Sequence, residues 1–334
     1  MNDDRRTLLL SAAATVLAAP ALAQTSSSAT PDARVLGTEH WTTKRTPDGD
    51  VRLFLWRKLA AGATKGVILF VHGSSVSGRP AFDLQVPGKP EYSFMDWFGG
   101  LGYDAWCVDC EGYGRSDKRR PINSDIATGA DDVAAAVDYI RRQTGMAKIF
   151  IYGSSSGALR AALYAQRNPQ AVARLAVTGF TWTGEGSPTL EQRRKRLADY
   201  RANNRRPIDR AMIRSIFTRD GGEGTDMSIV EPFADAVLAF DTSVPSGSYV
   251  DMSANLPLVD PQKITVPVYI LRGENDGIAT LQDLANFFVK LSNPQKQLSV
   301  LPGIAHSPLG AKNWRLFYQT LDACFTQPAP IYTG

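Results

Sequence analysis

A serine between two glycines, in the segment 153–157 (Gly-Ser-Ser-Ser-Gly), carries the clearest chemical signal in this sequence. The segment follows a largely apolar run at 148–152 that is typical of a buried strand, and it precedes a stretch at 158–165 that favours a helix. Glycines beside the serine let the strand and helix backbones approach closely, and they leave the hydroxyl exposed at the helix N-terminus. The positive end of the helix dipole stabilises a developing anion there, so the pattern predicts that Ser155 is a nucleophile.

A serine hydroxyl becomes a good nucleophile when a base takes its proton, and histidine is the usual base. The sequence contains three histidines. His40 lies in the first predicted strand, at 39–45. His72 belongs to a His-Gly-Ser-Ser segment that follows the predicted strand at 67–71. His306 lies in a loop directly after the last predicted strand, and ligands bind parallel sheets at the carboxyl ends of the strands. We therefore predict His306 as the base, with a surface loop histidine as the alternative interpretation.

Two further groups complete the predicted site. An acid must orient the imidazole and stabilise its cation. Asp276 follows a predicted strand directly, although its Asp-Gly dipeptide is also a common turn, and Glu274 is the fallback acid. The oxyanion of the reaction needs two backbone N–H donors, which we predict to be those of Ser156, next to the nucleophile, and of Ser74, in the His-Gly-Ser-Ser loop. We expect His72 to support that loop structurally.

The elements that must position these residues alternate along the chain. Apolar runs typical of buried strands lie at 67–71, 103–108, 148–152, 175–180, 266–271 and 297–301, with helical patterns between several of them. Such alternation predicts an α/β fold with a mostly parallel sheet and helices on both faces. The alternation is interrupted at 181–261, where no strand is clear and residues 190–217 favour a helix rich in arginine. We predict that this block is an insertion between two strands of one sheet.

The order of these motifs resembles that of the α/β-hydrolase superfamily, and of its esterases and lipases in particular. The matching segments, over roughly residues 50–325, are His72-Gly-Ser-Ser, Asp109-x-x-Gly112-x-Gly114-x-Ser116, Gly153-x-Ser155-x-Gly157, Gly273-x-x-Asp276 and Gly303…His306. The resemblance implies an α/β-hydrolase core at 35–180 and 262–327, with a helical cap at 181–261 inserted before the penultimate strand. It also implies that the predicted nucleophile, acid and base form a catalytic triad. A serine as nucleophile disfavours the similar haloalkane dehalogenases and epoxide hydrolases, which use aspartate.

The resemblance further implies that the cap covers the site. Phe180 and Trp182 leave a predicted strand at the cap junction, so we interpret them as substrate-binding residues. Further aromatic residues near the His-Gly-Ser-Ser loop extend this apolar pocket, namely Phe82, Tyr92, Phe94 and Trp97. Burial of these side chains in the core is the alternative. The arginine-rich stretch is interpreted as a solvated helix face, with attraction of an anionic substrate or binding of nucleic acid or a membrane surface as alternatives.

Composition places the chain among folded globular proteins, with 43% hydrophobic and 21% charged residues in a length of 334. The net charge of +4 is too small to indicate a nucleic-acid partner by itself. Residues 1–23 combine paired arginines, an apolar run and a small-residue cleavage site, which predicts an export signal of the twin-arginine type. Asp4 departs from that type, so the ordinary secretion route stays open, as does an N-terminal membrane anchor. Segment 24–34 is predicted to be a flexible linker.

These features predict a periplasmic or extracellular protein with no stable membrane insertion after signal cleavage, because no other apolar segment is long enough to span a membrane. The cysteines, Cys107, Cys110 and Cys324, are expected to be small buried hydrophobic residues, while a bridge between Cys110 and Cys324 stays open. The residues imply no metal and no cofactor.

The sequence therefore predicts an exported serine hydrolase that cleaves carboxylic esters through an acyl-enzyme. Amidases, thioesterases, lactonases and acyltransferases with the same triad are alternatives, and a non-catalytic binding protein on the same fold is a second class. The expected partner is a small-molecule ester. The identity of that ester and the oligomeric state stay open.

Overall fold

An eight-stranded sheet forms the centre of the structure, a computed structural model that describes residues 36–59, 62, 65–220 and 223–331. In chain order the strands are β1 (Gly37–Thr46), β2 (Gly49–Leu59), β3 (Gly66–Val71), β4 (Tyr103–Val108), β5 (Ile149–Ser154), β6 (Val172–Thr178), β7 (Arg205–Pro207), β8 (Ser243–Pro245), β9 (Val268–Asn275) and β10 (Lys296–Ala305). The sheet order is β1-β2-β4-β3-β5-β6-β9-β10, and every pair from β4 onward is parallel. The predicted export signal and linker lie outside the described residues.

Helices cover both faces of this sheet. The core helices are α1 (Gly78–Phe82), α2 (Phe94–Gly100), α3 (Ile126–Thr144), α4 (Ser156–Arg167), α10 (Leu281–Lys290) and α11 (Trp314–Thr326), with short 3-10 turns at Pro90–Tyr92, Pro169–Ala171 and Pro261–Lys263. Side chains alternate along β3, so Leu69 packs with α3 and α4 on one face while Phe70 packs with α2 and α11 on the other. All residues of β3 and β4 are buried, as expected for parallel strands covered on both faces. The predicted fold class is confirmed.

The insertion between β6 and β9 is largely helical. It contains α5 (Pro188–Arg194), α6 (Leu197–Ala202), α7 (Arg210–Thr218), a 3-10 turn at Met227–Ile229, α8 (Val230–Leu238) and α9 (Gly247–Ala254). The helical stretch predicted at 190–217 is divided, and α7 begins afresh where the Asp209 carboxylate accepts a hydrogen bond from Met212 N at 2.7 Å. The expectation of no strand here was wrong, since β7 and β8 form an antiparallel ribbon. Each strand is three residues long and ends in proline, so neither shows the alternation that reveals strands in a sequence.

The cysteines behave as buried apolar residues. Cys107, Cys110 and Cys324 are all free and buried, so the bridge left open between Cys110 and Cys324 is not formed. Burial raises the pKa of the Cys110 and Cys324 thiols to about 12, which leaves both protonated and unreactive at neutral pH. Within the described residues, no helix combines the length and hydropathy needed to cross a membrane.

Candidate active site

The turn between β5 and α4 holds Ser155 in a strained conformation. Its backbone φ of 57° and ψ of −125° are unusual for a residue with a side chain, and its N–H donates to Thr178 O at 2.8 Å. Close approach explains both flanking glycines. A Cβ added at Gly157 would lie 2.2 Å from Val71 O, and one at Gly153 would lie 2.5 Å from Gly157 O. The glycines therefore let β3, β5 and α4 converge around the serine, as the sequence pattern predicts.

The structure brings Ser155, Asp276 and His306 together, although 151 residues separate the serine from the histidine. Asp276 directly follows β9 and His306 directly follows β10, so both lie at the carboxyl edge of the sheet. His306 Nε2 lies 3.0 Å from Ser155 Oγ, and His306 Nδ1 lies 2.8 Å from Asp276 Oδ1. Such a chain can transfer the hydroxyl proton to the imidazole while the carboxylate stabilises the cation that results. The fallback acid Glu274 instead accepts a hydrogen bond from Gly303 N at 3.0 Å.

The carboxylate of Asp276 is kept ionised by its hydrogen bonds. Burial alone raises the pKa of a carboxyl group, but the charge and hydrogen bond of His306 and the N–H groups of Ile278 and Ala279 together lower the pKa of Asp276. All three donors reach Oδ1, at 2.8, 2.9 and 3.1 Å. Oδ2 is buried without a hydrogen-bond partner among the described residues. Oδ1 is thus positioned to fix the imidazole tautomer with its free lone pair toward the serine.

Gly179, which follows β6, determines where the imidazole of His306 can lie. Its φ is +61°, and a Cβ added there would lie 2.6 Å from His306 Cε1. Nothing in the sequence distinguishes Gly179 from other glycines, because a glycine after a strand usually marks only a turn.

Two backbone N–H groups are available where an oxyanion would form. Ser156 is the first residue of α4, and neither its N–H nor that of Ser74 donates a hydrogen bond within the described residues. Gly73 lies against the nucleophile, since a Cβ added there would lie 3.2 Å from Ser155 Cβ. The predicted donors therefore both lack a hydrogen-bond partner among the described residues, and both lie beside the serine turn.

His72 orients one of these donors. Its Nδ1–H donates to Gly73 O at 2.7 Å, and its Nε2 accepts from Cys110 N at 3.0 Å. Because a trans peptide holds its C=O and N–H in opposite directions, a fixed Gly73 carbonyl also fixes the direction of the Ser74 N–H. Burial and the positive charge of Arg160 lower the pKa of His72 to about 3, so the ring is neutral and can both donate and accept.

Arg160 is a residue that the sequence analysis missed. It is fully buried in α4, and its Nη1 donates to His72 O at 3.1 Å while its guanidinium lies 5.3 Å from the centre of the Tyr113 ring. The only signal in the sequence is a single charge in an otherwise apolar helical run. Arg160 therefore connects α4, which begins directly after the nucleophile, with the His-Gly-Ser-Ser loop that contains Ser74.

A cavity that opens to solvent lies over the candidate nucleophile and base, Ser155 and His306, both of which line it. Its lining is mixed in polarity and comes from the core, the cap and the loop after β10. The apolar part includes Phe82, Phe94, Met212, Ile216, Phe233 and Leu309. Phe180 and Trp182 do not line it. Both pack against Phe287, with ring centres 4.7 and 5.9 Å away, so the alternative interpretation as core residues describes them better.

The arginines of the arginine-rich stretch lie in two different environments. Arg210 and Arg214 form ion pairs with Glu231 and Asp235 on the exposed surface of the cap, as a solvated helix face would. Arg193, in contrast, lines the cavity over the candidate triad, together with Arg219 further along the chain. Within the described residues no aspartate or glutamate lines this cavity.

Comparison with known proteins gives distant relatives. Residues 88–204 match the model of a family described as serine aminopeptidase, S33. An uncharacterized protein of Escherichia coli, YnbC, is 22% identical over 270 residues, which cover 80% of this chain and 43% of that protein. A 2-hydroxy-6-oxononadienedioate/2-hydroxy-6-oxononatrienedioate hydrolase of Cupriavidus pinatubonensis is 28% identical over 160 residues, which cover 46% of this chain and 47% of that one. The chain thus spans less than half the length of these two curated relatives.

Solved structures with low sequence identity to this chain share its fold over most of its length. The solved structure of a thermophilic esterase from Thermogutta terrifontis superposes on this chain with a TM-score of 0.61 at 18% identity. The superposition covers 86% of this chain and 100% of the esterase chain. At this identity the likeness concerns the fold. Together with the sheet order and the strained serine turn, it shows that this chain has the α/β-hydrolase fold.

Proposed function

We propose that this protein is a serine hydrolase that cleaves carboxylic esters through an acyl-enzyme on Ser155. Ser155 Oγ attacks the ester carbonyl while His306 Nε2 takes the hydroxyl proton and Asp276 stabilises the imidazolium. The N–H groups of Ser74 and Ser156 stabilise the negative charge on the carbonyl oxygen. The C–O bond then breaks and the alcohol leaves with the proton from His306. Water, deprotonated by the same imidazole, releases the acid and restores the serine.

The observation that carries this proposal is the continuous hydrogen-bonded chain from Ser155 Oγ through His306 to Asp276 Oδ1, at 3.0 and 2.8 Å. The cavity above it has an apolar part, with Phe82, Phe94 and Phe233, that suits the carbon chain of an ester. The hydrolase names among the relatives support the reaction class. We also propose export to the periplasm or beyond, on the strength of the signal-like residues 1–23.

Peptide hydrolysis is a second candidate, which the description of the matching family favours. An aminopeptidase must accommodate the positive α-ammonium group of its substrate. The cavity presents Arg193 and Arg219 and, among the described residues, no carboxylate, so its field repels such a group. We therefore favour esters over peptides with a free N-terminus.

The test is hydrolysis of p-nitrophenyl esters of increasing acyl length by the wild type and by Ser155→Ala. We expect kcat to fall by about 10⁴-fold or more in this variant, since the nucleophile is lost. The control is Ser292→Ala, which removes an exposed hydroxyl that does not line the cavity, and we expect it to leave the rate unchanged. An organophosphonate should label the wild type at Ser155 and leave the variant unlabelled. Hydrolysis that persists in Ser155→Ala would contradict the assignment of the nucleophile, and hydrolysis of amino-acid anilides in preference to esters would favour the peptidase.

A further inference from the structure

The cavity over the candidate triad has a cationic end. Arg193 approaches it from α5, and Arg219 approaches it from the position directly after α7, so two separate parts of the cap each contribute a guanidinium. Asp220 connects Arg219 to the triad, because one carboxylate oxygen accepts from Arg219 Nε at 3.2 Å and the other accepts from His306 N at 3.3 Å. The positive charge therefore faces the same space as the nucleophile rather than the outer surface of the cap.

Neither guanidinium has its hydrogen-bonding capacity satisfied. Arg193 Nη1 is buried and has no hydrogen-bond partner, and the structure gives Arg193 no ion pair among the described residues. Arg219 uses only Nε on Asp220, so its two terminal nitrogens are free of protein partners within the same residues. Buried donors without partners cost free energy in a folded protein, and an unpaired buried charge costs more. A ligand with negatively charged oxygens would supply the missing acceptor.

The surroundings of Tyr249 show that the electrostatic potential at the cationic end of the cavity is positive. Its ring lies between two guanidiniums, with the Cζ atoms of Arg193 and Arg206 at 4.1 and 3.9 Å from the ring centre. Burial raises the pKa of the Tyr249 phenol, but the charges of Arg193 and Arg206 outweigh it and lower the pKa to about 7. Arg206 is itself engaged by the predicted oxyanion loop, since its Nη2 donates to Ser74 O at 2.5 Å. Arg193, which has no ion pair among the described residues, and the terminal nitrogens of Arg219, which lie beyond its ion pair with Asp220, are therefore left for a ligand.

We propose that Arg193, Arg219 and Tyr249 form a subsite for a carboxylate carried by the substrate, so that the natural substrate is an ester with a second, free carboxylate group. This inference rests on the proposed esterase function and specifies its substrate class. The planar guanidinium fork matches the two oxygens of a carboxylate, and the ring of Tyr249 lies against the guanidinium of Arg193 at 4.1 Å. The apolar wall, with Phe82 and Phe94, would accommodate the carbon chain between the carboxylate and the ester.

The first experiment needs no variant. Monomethyl adipate and dimethyl adipate differ by one charge on the acyl side, and 4-acetoxybutyrate and its methyl ester differ by one charge on the alcohol side. Methanol release measures the first pair and acetate release the second. We expect kcat/KM to favour the anionic member of at least one pair by roughly 10- to 100-fold, the range of a charge-assisted hydrogen bond. A ratio at or below one in both pairs would overturn the proposal.

The second experiment assigns the preference to residues. Arg193→Gln and Arg219→Gln should reduce the ratio of anionic to neutral kcat/KM to within about threefold of one, and Arg193→Lys should retain part of it because the charge remains. The matched control is Lys195→Gln, which removes the same charge two residues from Arg193 at an exposed position and should change neither the ratio nor the rates. A ratio that survives both glutamine variants would contradict the assignment.

A binding measurement separates this inference from the proposed function. Calorimetric titration of adipate and of uncharged adipamide can be done with Ser155→Ala, which retains the cavity but cannot turn over an ester. We expect adipate to bind at least tenfold more tightly than adipamide, and Arg193→Gln in the same background to abolish the difference. If the protein hydrolyses no ester but shows this selectivity, the esterase function fails and the anion subsite stands. If it hydrolyses esters but binds both compounds equally, only the subsite fails.

Discussion

Replacement of Gly179 by alanine should disable the candidate site without a change in any hydrogen-bonding group. The added Cβ would lie 2.6 Å from His306 Cε1 and 3.0 Å from His306 Nδ1. An ordinary carbon contact begins near 3.4 Å, so the imidazole must retreat by about 0.8 Å. The Ser155 to His306 hydrogen bond is now 3.0 Å and would lengthen beyond the range of a useful bond.

The expected effect on activity is large and the effect on stability is small. A displacement of about 1 Å at reacting groups costs roughly 10²-fold in rate, so we expect kcat/KM for a p-nitrophenyl ester to fall by about that factor. Alanine at a φ of +61° costs about 1–2 kcal/mol in the left-handed region, partly offset by the lower entropy of the unfolded chain. The net loss in the free energy of unfolding is therefore about 1 kcal/mol.

Gly145→Ala provides the matched control. Gly145 ends α3 with a φ of +72°, and a Cβ there would meet nothing within 4 Å. It should show the same loss of about 1 kcal/mol with full esterase activity. The assay is kcat/KM beside urea unfolding for both variants. If Gly179→Ala is as active as Gly145→Ala to within about threefold, the imidazole is not confined by Gly179 and the reasoning is refuted.

Three other substitutions test separate parts of the site. Asp276→Asn should lower kcat by about 10³- to 10⁴-fold, while Glu274→Gln should leave it unchanged; a reversed result would identify the other acid. His72 is neutral when folded down to about pH 3 but binds a proton near pH 6.5 when unfolded, so the wild type should lose roughly 1.4 kcal/mol of unfolding free energy per pH unit, relative to His72→Gln, as the pH falls between these values. Urea titrations from pH 7 to pH 4 would show a constant difference if this is wrong. Phe180→Leu should cost about 1 kcal/mol in stability and leave the acyl-length profile intact, whereas Phe82→Leu should shift the profile.

The parallel sheet was predictable because its signals are local. A fully buried strand must be a short continuous apolar run, and β3 and β4 are such runs. The serine turn was predictable for a similar reason, since a strained residue between converging backbones requires small neighbours within a few positions. The ribbon of β7 and β8 was missed because its stability depends on pairing between segments far apart in the chain.

The positions of the aromatic residues relative to the cavity could not be predicted from local sequence. Phe82, at the end of α1, and Phe180, two residues after β6, are both buried aromatic residues that look alike in the sequence. Phe82 lines the cavity and Phe180 packs against Phe287 in the core. The choice depends on which side of the sheet edge each chain segment turns toward, and that direction is set by packing against distant helices.

The sequence by itself determined the order of the strands in the main sheet along the chain, the turn that carries Ser155, and the three residues whose types suit acyl transfer. Each depends on neighbours a few positions away or on the chemical identity of a side chain. Only the tertiary structure decided that Gly179 confines the imidazole and that Arg193 faces the cavity while Lys195 faces solvent. Successive helical residues point about 100° apart, so side chains two positions apart take opposite environments once the cap packs on the core. That packing sums many weak contacts over the whole molecule, and no local pattern encodes it.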